Sequence, residues 1–275
     1  MKYLVLGGSR NIGYLTSIRL LEAGNTVTFL LRRKSAFDDD ATIQKYIKTQ
    51  NVRLVQGDAT VRDDVARAWQ VAAEGDDNSI DGVIVTVGAA PAGGQAKLSL
   101  RKGIVLNPPN LVANCVFNVL ATWPHSPGSS PKLIVVTSNG LTKETHSALP
   151  WILKPLYGWF LAGPHEDKLG AERLIYHIAG RDWKEKEPNS EILPSGWKDQ
   201  LPSGSWLPDA VIVRPAMSTN GECRAESNPK KSYRTSFGTL PKAWTVSRKD
   251  ISHFIVARTL AEWDSWKGKA VVVSY

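Results

Sequence analysis

The chain has 275 residues, of which 42% are apolar and 22% charged, as is ordinary for a globular protein. Two cysteines are too few for a disulfide framework, and no run of about 18 apolar residues that could span a membrane occurs. The 34 basic and 26 acidic residues give a net charge of +8. Because the basic residues are scattered among acidic ones, this excess indicates a solvated basic face or an anionic cofactor or substrate, and it argues against a nucleic-acid groove. Glycines interrupt the first apolar run too early for a signal peptide, so we expect a cytoplasmic protein.

Residues 3–16 carry the most informative motif. A short apolar run that begins at Tyr3 predicts a buried strand, and an apolar periodicity from Ile12 onwards predicts an amphipathic helix. Between them lies the turn Gly7-Gly-Ser-Arg-Asn-Ile-Gly13. A strand, a glycine-bearing turn and a helix in this order present backbone N–H groups and a helix N-terminus to a phosphate. Asn11 replaces the middle glycine of the usual dinucleotide fingerprint, so the match depends on its position directly after a strand.

The second predicted strand, residues 25–31, ends on Arg32-Arg33-Lys34. In a dinucleotide fold this strand end meets the adenosine ribose, where an acidic residue binds the 2′-hydroxyl of NAD and an arginine accommodates the 2′-phosphate of NADP. Three cations without a carboxylate favour NADP(H), and Arg10 could reach the same phosphate from the first turn. A surface basic cluster beside a strand is the alternative interpretation.

Two further strands are predicted to end at the same edge of the sheet. The third begins at Val52 and closes with Gly57-Asp58, and the fourth runs from Asp81 to Gly88. We expect Asp58, with Ala59 or Thr60 alongside, to form hydrogen bonds near the adenine, to cap a helix over residues 60–73, or both. The small residue Gly88 leaves room for a ribose or a nicotinamide.

A helix over about residues 109–123 and a fifth strand from Lys132 to Asn139 are predicted next. Residues 150–164 then form the most aromatic and apolar segment of the chain. Three interpretations of this segment stay open: a lid over a hydrophobic substrate, a membrane-surface patch, or core packing. A helix from about His165 to residue 179 follows it.

The last third of the chain alternates regular and irregular stretches. Residues 181–208 and 217–246 show no sustained period and are interpreted as excursions. A sixth strand opens at Asp209, Asp250 caps a helix that runs to about residue 263, and a last strand starts at Ala270. Strands alternating with helices predict an α/β fold with a Rossmann-type doubly wound parallel sheet. We expect a single NAD(P)-binding domain over the whole chain, in which the two excursions form a small C-terminal substrate-binding region.

Several short motifs follow one another in an order that is typical of one family. They are Gly7-Gly-Ser-Arg-Asn-Ile-Gly13, Arg32 after the second strand, Gly57-Asp58, Thr137-Ser138, Lys168-x-x-x-Glu172, Arg214-Pro215-Ala216 and Ser247-Arg-Lys-Asp250-Ile. Together they resemble the short-chain dehydrogenase/reductase superfamily, specifically its atypical NAD(P)H-binding branch with NmrA-like and flavin-reductase-like members. The resemblance covers nearly the whole chain and implies a Rossmann fold that binds NADP(H), with the substrate pocket over the carboxyl ends of the strands. The cofactor-binding residues that we expect are Gly7, Gly8, Ser9, Arg10, Asn11, Ile12, Gly13, Arg32, Arg33, Asp58, Ala59, Gly88, Lys168 and Pro215.

The chain departs from this superfamily at the catalytic pair. The hydride-transfer enzymes of the superfamily typically use Tyr-x-x-x-Lys, in which the lysine holds the ribose and lowers the pKa of the tyrosine. Here Pro164 stands four residues before Lys168, so that tyrosine is absent. His165 and the more distant Tyr157 are the candidate proton donors beside water, and Ser138 is the candidate for orienting the substrate. The alternatives are solvent-exposed helix residues for His165 and Lys168, and a strand-end hydrogen bonder for Ser138.

Three functions are compatible with these features. The first is an NADP-dependent reductase of a small to medium hydrophobic carbonyl, enone, quinone or flavin-type compound, with hydride from the cofactor. The second is a non-catalytic NADP-binding redox sensor that docks on a protein partner, as NmrA-like proteins are thought to do, and it explains the missing tyrosine directly. The third is an RNA-binding or isomerase relative, since Gly-Gly-Ser/Thr-Arg loops also occur in plastid RNA-binding members of the branch. The lack of aromatic-basic RNA-reading motifs places it last, and we expect no metal.

Overall fold

Parallel strands alternating with helices make up the fold. We describe it from a computed structural model, which covers residues 1–75, 78–88, 96–101, 103–124, 130–202 and 204–275, without the side chains of Leu153, Leu156 and Tyr157. The strands are β1 Lys2–Leu6, β2 Thr26–Leu31, β3 Val52–Gln56, β4 Gly82–Val85, β5 Ala96–Ser99, β6 Gly103–Leu106, β7 Lys132–Val136, β8 Val211–Pro215, β9 Met217–Thr219, β10 Arg234–Ser236, β11 Thr245–Ser247 and β12 Ala270–Ser274. The α-helices are α1 Asn11–Glu22, α2 Ala41–Lys48, α3 Arg62–Ala73, α4 Leu111–Ala121, α5 Lys143–Ser147, α6 Ala162–Ile178, α7 Arg224–Ser227, α8 Arg248–His253 and α9 Trp263–Trp266. Short 3₁₀ or π turns lie at Lys34–Phe37, Trp151–Leu153, Leu156–Phe160, Pro229–Lys231 and Phe254–Leu260.

Within the described ranges, eight strands form one sheet in the order β10-β12-β8-β7-β4-β1-β2-β3. The neighbours from β12 to β3 pair in parallel, and β10 is added antiparallel to β12 at the edge. The chain builds outward from β1 in one direction through β2 and β3, then returns to β4 on the other side of β1. This reversal opens a crevice beyond the carboxyl ends of β1 and β4, where open α/β sheets bind their ligands. The predicted doubly wound parallel sheet is confirmed.

Two apolar layers cover the two faces of the sheet. Along β1, Tyr3 and Val5 face one layer, whereas Leu4 and Leu6 face the other. Because both faces are buried, β1 is apolar at every position from Tyr3 to Leu6, and the same burial explains the continuous apolar runs of the central strands. Helices α1 and α8 close the first layer, and α3, α4 and α6 close the second.

The hairpin of β5 and β6 is absent from the sequence prediction. Each of its strands has four residues, which is too short for an alternation of buried and exposed residues to stand out. Its side chains Leu98 and Leu100 are exposed, whereas Leu106 at the end of β6 is buried. The hairpin packs against the start of α6, where a Cβ on Gly163 would lie 2.6 Å from the carbonyl oxygen of Ile104.

Two predicted helix boundaries are corrected. Helix α6 begins at Ala162 rather than at His165. Pro164 falls in its first turn, where backbone N–H groups have no partner within the helix, so the missing N–H of proline costs no hydrogen bond. The cap of α8 is Ser247 rather than Asp250: the Ser247 hydroxyl accepts the N–H of Asp250 at 2.9 Å. The Asp250 carboxylate instead accepts the Tyr275 hydroxyl at 2.6 Å and the N–H of Ala225 at 2.9 Å. Burial would raise the pKa of Asp250, but these hydrogen bonds outweigh it and lower that pKa.

The first excursion, residues 181–208, contains no helix or strand in the part that the structure describes. It is fastened to α6 by Arg173, whose Nε donates to both carboxylate oxygens of Glu187 at 2.9 Å. The same guanidinium lies 5.6 and 5.2 Å from the ring centroids of Trp183 and Trp197. An irregular segment is thus ordered by side chains rather than by a backbone ladder. No helix among the described residues is long and apolar enough to cross a membrane.

Candidate functional site

A cleft of about 530 Å³ lies beyond the carboxyl ends of the central strands. The turns after β1, β2, β3, β4, β7 and β8 all contribute to its lining, together with the middle of α6. The predicted site residues that line this cleft are Gly7, Gly8, Ser9, Arg10, Asn11, Ile12, Arg32, Arg33, Asp58, Ala59, Gly88, Ser138, Lys168 and Pro215. The topology therefore brings together residues that are far apart in the chain.

The turn between β1 and α1 brings backbone close to backbone. Gly7 has a φ of +81°, a left-handed conformation that disfavours other residues, and a Cβ there would lie 2.7 Å from the N of Val87. A Cβ on Gly13 would overlap the Thr86 hydroxyl and the carbonyl oxygen of Gly7. Asn11, in the place of the usual middle glycine, also has a positive φ of 54°. The polar Asn11 thus reproduces the backbone path that a glycine normally supplies, since asparagine is among the residues that tolerate it.

One end of the cleft, which we call the arginine end, contains Arg10, Arg32 and Arg33. All three side chains are exposed and line the cleft. The first turn of α1 carries no acidic residue, and no side chain caps its N-terminus, so its N–H groups face no competing carboxylate from their own helix. Among the described lining residues, five side chains are cationic and one is a carboxylate; they are Arg10, Arg32, Arg33, Lys168 and Arg248 against Asp58. The lining fits a ligand with several negative charges.

Asp58 and Ala59 form a turn at the edge of this arginine end. The carboxylate of Asp58 accepts the N–H and the hydroxyl of Thr60 at 2.9 and 2.7 Å. Asp58 does not cap the following helix, as one interpretation predicted, because α3 begins at Arg62 and Val61 occupies its cap position. The Asn118 amide donates to the carbonyl oxygen of Ala59 at 3.0 Å and fixes the turn from α4.

The other end of the cleft, the lysine end, contains Ser138, Lys168 and Pro215. The ammonium of Lys168 donates to the carbonyl oxygen of Thr137 at 3.0 Å. Burial lowers the pKa of Lys168, and the charges of Asp167 and Glu172 oppose that shift. Lys168 is therefore not a solvent-exposed helix lysine, which was the alternative interpretation.

Of the two candidate proton donors, only His165 has a side chain among the described residues. His165 is not among the described residues that line the cleft. Burial, the charge of Lys168 and the proximity of His146 lower the pKa of His165 to about 3. The imidazole is therefore neutral at physiological pH, and this argues against His165 as the proton donor and against its alternative as a water-exposed residue. The side chain of Tyr157 lies outside the described residues, so its role stays a prediction.

The aromatic segment 150–164 does not pack as a whole in the core. Trp151 is 81% exposed and Trp159 is 47% exposed. Leu161 is half-buried and lines the cleft. Core packing is therefore the wrong interpretation for the two tryptophans, while the lid and the membrane-surface patch stay predictions.

Several cleft residues were not among the predicted site residues, although two of them lie in the excursion 217–246 that was expected on the substrate side. Met217, Ser218 and Arg248 line the cleft, and the parallel pair β9–β11 brings the first two beside the third. The signal that could have found Met217 and Ser218 is their place directly after Arg214-Pro215-Ala216. None of the described residues of the 181–208 excursion lines the cleft, so its place on the substrate side stays a prediction.

Comparison with known proteins places these features in context. The KR domain family matches residues 1–98, which contain β1 to β4 and the whole arginine end. Over 266 residues the chain is 26% identical to the reductase pytE of Aspergillus terreus, covering 93% of this chain and 90% of that protein.

Solved structures share the fold at low sequence identity. ChuY, an anaerobillin reductase from Escherichia coli O157:H7, superposes with a TM-score of 0.57 at 17% identity, covering 100% of this chain and 97% of ChuY. Gre2, a yeast methylglyoxal/isovaleraldehyde reductase crystallised with NADPH, gives 0.61 at 12% identity, covering 100% of this chain and 78% of Gre2. The oxidoreductase ylbE from Lactococcus lactis gives 0.60 at 12% identity, covering 100% of this chain and 90% of ylbE. At such identities the likeness establishes the fold, a Rossmann-type α/β fold.

Proposed function

We propose that this chain, which resembles the atypical short-chain dehydrogenase/reductases, is an NADP-dependent reductase. An NAD(P)-dependent reductase is supported by the KR-domain match over residues 1–98 and by the 26% identity to a reductase along most of the chain. The choice of NADP, the substrate class and the roles of individual residues are the parts that we propose.

The arginine end carries the proposal for NADP. Arg32 and Arg33 directly follow the end of β2, where the adenosine ribose of a dinucleotide lies in this fold. Arg10 lines the same cleft from the turn after β1. A 2′-phosphate offers these guanidinium groups charge-assisted, forked hydrogen bonds, whereas a 2′-hydroxyl gives them no anion to bind. The close approach at Gly7 and Gly13 leaves the N-terminus of α1 open for the pyrophosphate.

The lysine end supplies the positioning groups for the reaction. When bound, NADPH supplies a hydride from nicotinamide C4. We assign Lys168 to the ribose hydroxyls, because its ammonium lies in the cleft at a fixed carbonyl oxygen. Ser138 lines the cleft at the end of β7 and is assigned to hydrogen-bond the substrate oxygen. With His165 neutral, the proton comes from water or from Tyr157.

The substrate class follows from the rest of the lining. The cleft also has apolar lining residues, among them Leu111, Val136, Leu161 and Met217. We propose a small to medium hydrophobic carbonyl, enone, quinone or flavin-type substrate, because each offers an electrophile that accepts a hydride and an apolar body to bury. The reductase pytE and the structurally similar reductases support reduction as the direction.

The cofactor proposal is tested by titrating the purified protein with NADPH and NADH and following the fluorescence of the reduced nicotinamide. We expect NADPH to bind tighter, by roughly tenfold or more, since charge-assisted hydrogen bonds contribute about 1.5–3 kcal/mol. Arg32→Asp should reverse the preference. Lys34→Asp is the matched control, because Lys34 is exposed, makes the same charge change and does not line the cleft. Equal binding of the two cofactors by the wild type contradicts the assignment.

The reaction is tested by following NADPH consumption against a panel of quinones, enones, aldehydes and flavins. We expect turnover with at least one class, and its loss in Lys168→Ala. His165→Gln should keep most of the activity, because a neutral imidazole outside the cleft donates no proton to the substrate. Loss of activity in His165→Gln, with the fold intact, would return His165 to the reaction.

A non-catalytic NADP sensor is the second candidate, and two observations favour it. Pro164 stands where the superfamily's hydride-transfer enzymes have their tyrosine, and the low pKa of His165, about 3, removes its nearest replacement. The panel separates the two candidates. Tight NADPH binding without turnover of any class would decide for the sensor, which then acts by docking on a protein partner.

A further inference from the structure

A buried ion pair joins α6 to β8 beside the lysine end. Arg214 donates from Nη2 to Glu172 Oε2 at 2.6 Å and from Nε to Glu172 Oε1 at 2.9 Å. Glu172 is fully buried and Arg214 is 4% exposed. Forked geometry of this kind fixes orientation as well as distance. The net stability from such a pair is small, because desolvation of both charges offsets their attraction. Stability alone therefore does not explain why two charges lie here.

Thr137 connects this pair to Lys168. Its hydroxyl donates to Glu172 Oε1 at 2.7 Å, and its carbonyl oxygen accepts the ammonium of Lys168 at 3.0 Å. A continuous series of hydrogen bonds thus runs from Arg214 through Glu172 and Thr137 to Lys168. These groups lie on α6, on β8 and directly after the end of β7, and they meet at the lysine end.

Thr137 and Lys168 themselves line the cleft, and the other two members of this network are close in the chain to residues that line it. Ser138 follows Thr137, and Pro215 follows Arg214 in the chain. Lys168 lies one helical turn before Glu172 on α6. The N–H of Asn139 donates to the carbonyl oxygen of Pro215 at 2.8 Å and holds the two strand ends together.

We propose that Glu172 and Arg214 are positioning residues: through Thr137 they fix the Lys168 ammonium, Ser138 and Pro215 in the geometry that receives the nicotinamide ribose. This rests on the proposed function, because it assigns Lys168 to the cofactor. The pair is neutral as a whole, so it fixes these groups without adding a net charge beside Lys168. Breaking it from one side leaves a charge of known sign.

The sign of the charge that remains determines in which direction the pKa of Lys168 moves. The charged groups that face Lys168 are Asp167 and Glu172 on its own helix and Arg214 beyond them on β8, while β7 presents the carbonyl oxygen of Thr137. His165 is neutral over the relevant pH range, since its pKa is about 3. Glu172→Gln leaves the cation of Arg214, which favours the deprotonated form of Lys168. Arg214→Met leaves the anion of Glu172, which favours the protonated form.

The test measures the dissociation constant of NADPH by fluorescence from neutral to alkaline pH in the wild type, Glu172→Gln, Arg214→Met and the double variant. In the wild type, binding weakens as Lys168 loses its proton. We expect the midpoint of this change to fall by about one pH unit in Glu172→Gln and to rise by about one in Arg214→Met. In the neutral double variant it should return to the wild-type value. A pair that does not act on Lys168 predicts no such opposite movement.

A milder pair of variants keeps the test decisive if an unpaired charge prevents folding. Thr137→Val removes the hydroxyl that donates to Glu172 and keeps the carbonyl oxygen, whereas Thr137→Ser keeps both. We expect Thr137→Val to bind NADPH about fivefold more weakly than Thr137→Ser, as for one lost hydrogen bond. Equal affinity of these two variants, or midpoints that move in the same direction in both charge variants, overturns the proposal. A wild type that binds no NADPH contradicts the proposed function instead.

Discussion

The arginine end and the lysine end of the cleft are built in opposite ways. At the arginine end the cationic side chains are exposed, and the fixed geometry comes from backbone packed against backbone at Gly7 and Gly13. At the lysine end Glu172 and Arg214 are buried and hold each other, and the half-buried Lys168 is held by the carbonyl oxygen of Thr137. An exposed guanidinium binds a phosphate with little cost of desolvation, and salt screens that attraction. A buried charge costs desolvation, so its pKa moves and its partners matter.

The two ends of the cleft therefore differ in their sensitivity to pH. Around the lysine end, burial lowers the pKa of Lys168, lowers that of His165 to about 3 and raises that of Asp167 to about 6. All three residues lie in the first two turns of α6. The arginine end should respond mainly to salt, and the lysine end mainly to pH.

The largest expected effect is at the backbone of the arginine end. In Gly13→Ala the new methyl group overlaps the Thr86 hydroxyl and the carbonyl oxygen of Gly7, so the turn or the helix has to shift. Overpacking of this kind costs about 1–3 kcal/mol, and the same shift displaces the N–H groups at the start of α1. We expect the affinity for NADPH to fall roughly a hundredfold, measured by fluorescence titration.

Gly238→Ala is the matched control for that prediction. Gly238 has no heavy atom within 4 Å of an added Cβ and lies away from the cleft. We expect its free energy of unfolding to stay within about 0.5 kcal/mol of the wild type and its NADPH affinity to be unchanged. If Gly13→Ala binds NADPH as well as Gly238→Ala does, the close approach at Gly13 is not what shapes the arginine end.

The arginine end and the lysine end also differ in how much of each the sequence predicts. The arginine end lies within residues 7–33 apart from Asp58 and Ala59, and each of its parts carries a local signal: glycines after a strand, a helix start, cations at a strand end. The parallel sheet was predictable for a similar reason, because strands buried on both faces are continuously apolar. Local signals of this kind do not need the rest of the fold.

The lysine end depends on contacts between residues distant in the chain, which a single sequence does not reveal. Glu172 and Arg214 are 42 residues apart, and Thr137 is 35 from Glu172. The motifs Lys168-x-x-x-Glu172 and Arg214-Pro215 were noted as family features, but nothing in their spacing says that they meet. Burial is equally invisible there, so the neutral state of His165 could not be predicted from its position before Lys168.

The next largest effect concerns Asp167, which follows the start of α6 and lies beside Lys168. Its carboxylate is fully buried and accepts the N–H groups of Val112 and Ala113 at 2.9 and 2.8 Å, capping α4 from a different helix. Burial raises the pKa of Asp167 from 3.8 to about 6, against the lowering effect of these N–H groups and of Lys168. Because the folded pKa is the higher one, the folded state binds more protons between pH 3.8 and 6. The contribution of Asp167 to the free energy of unfolding is therefore highest below that pH window and falls as the pH rises through it.

Asp167→Asn removes this titration, so the comparison of the two proteins isolates it. We expect the stability of the wild type relative to Asp167→Asn to fall by about 1.5 kcal/mol between roughly pH 5 and pH 7.5. Urea denaturation of both proteins at the two pH values measures this difference. A relative stability that rises with pH would show that the two N–H groups outweigh burial and that the carboxylate stays charged in the fold.

A smaller effect, about 1 kcal/mol, is expected from salt at the arginine end. The guanidinium groups of Arg10, Arg32 and Arg33 are exposed, so their attraction for a 2′-phosphate is screened by ions. Raising the ionic strength about tenfold should weaken NADPH binding several-fold more than NADH binding. Titration of both cofactors at two salt concentrations measures the ratio. A salt effect that is the same for both cofactors would place the recognised charge on the pyrophosphate and not on the 2′-phosphate.

The smallest expected effect on stability is at Trp151. This residue also tests whether the aromatic segment 150–164 covers a substrate. Its side chain is 81% exposed, so Trp151→Ala should change the free energy of unfolding by less than about 0.5 kcal/mol. NADPH affinity should stay unchanged, since Trp151 does not line the cleft. If the aromatic segment covers a hydrophobic substrate, the KM for that substrate rises in Trp151→Ala and is restored in Trp151→Phe, which keeps an apolar ring. An unchanged KM in both variants would contradict the lid and leave the membrane-surface patch, which vesicle binding by the same variants then tests.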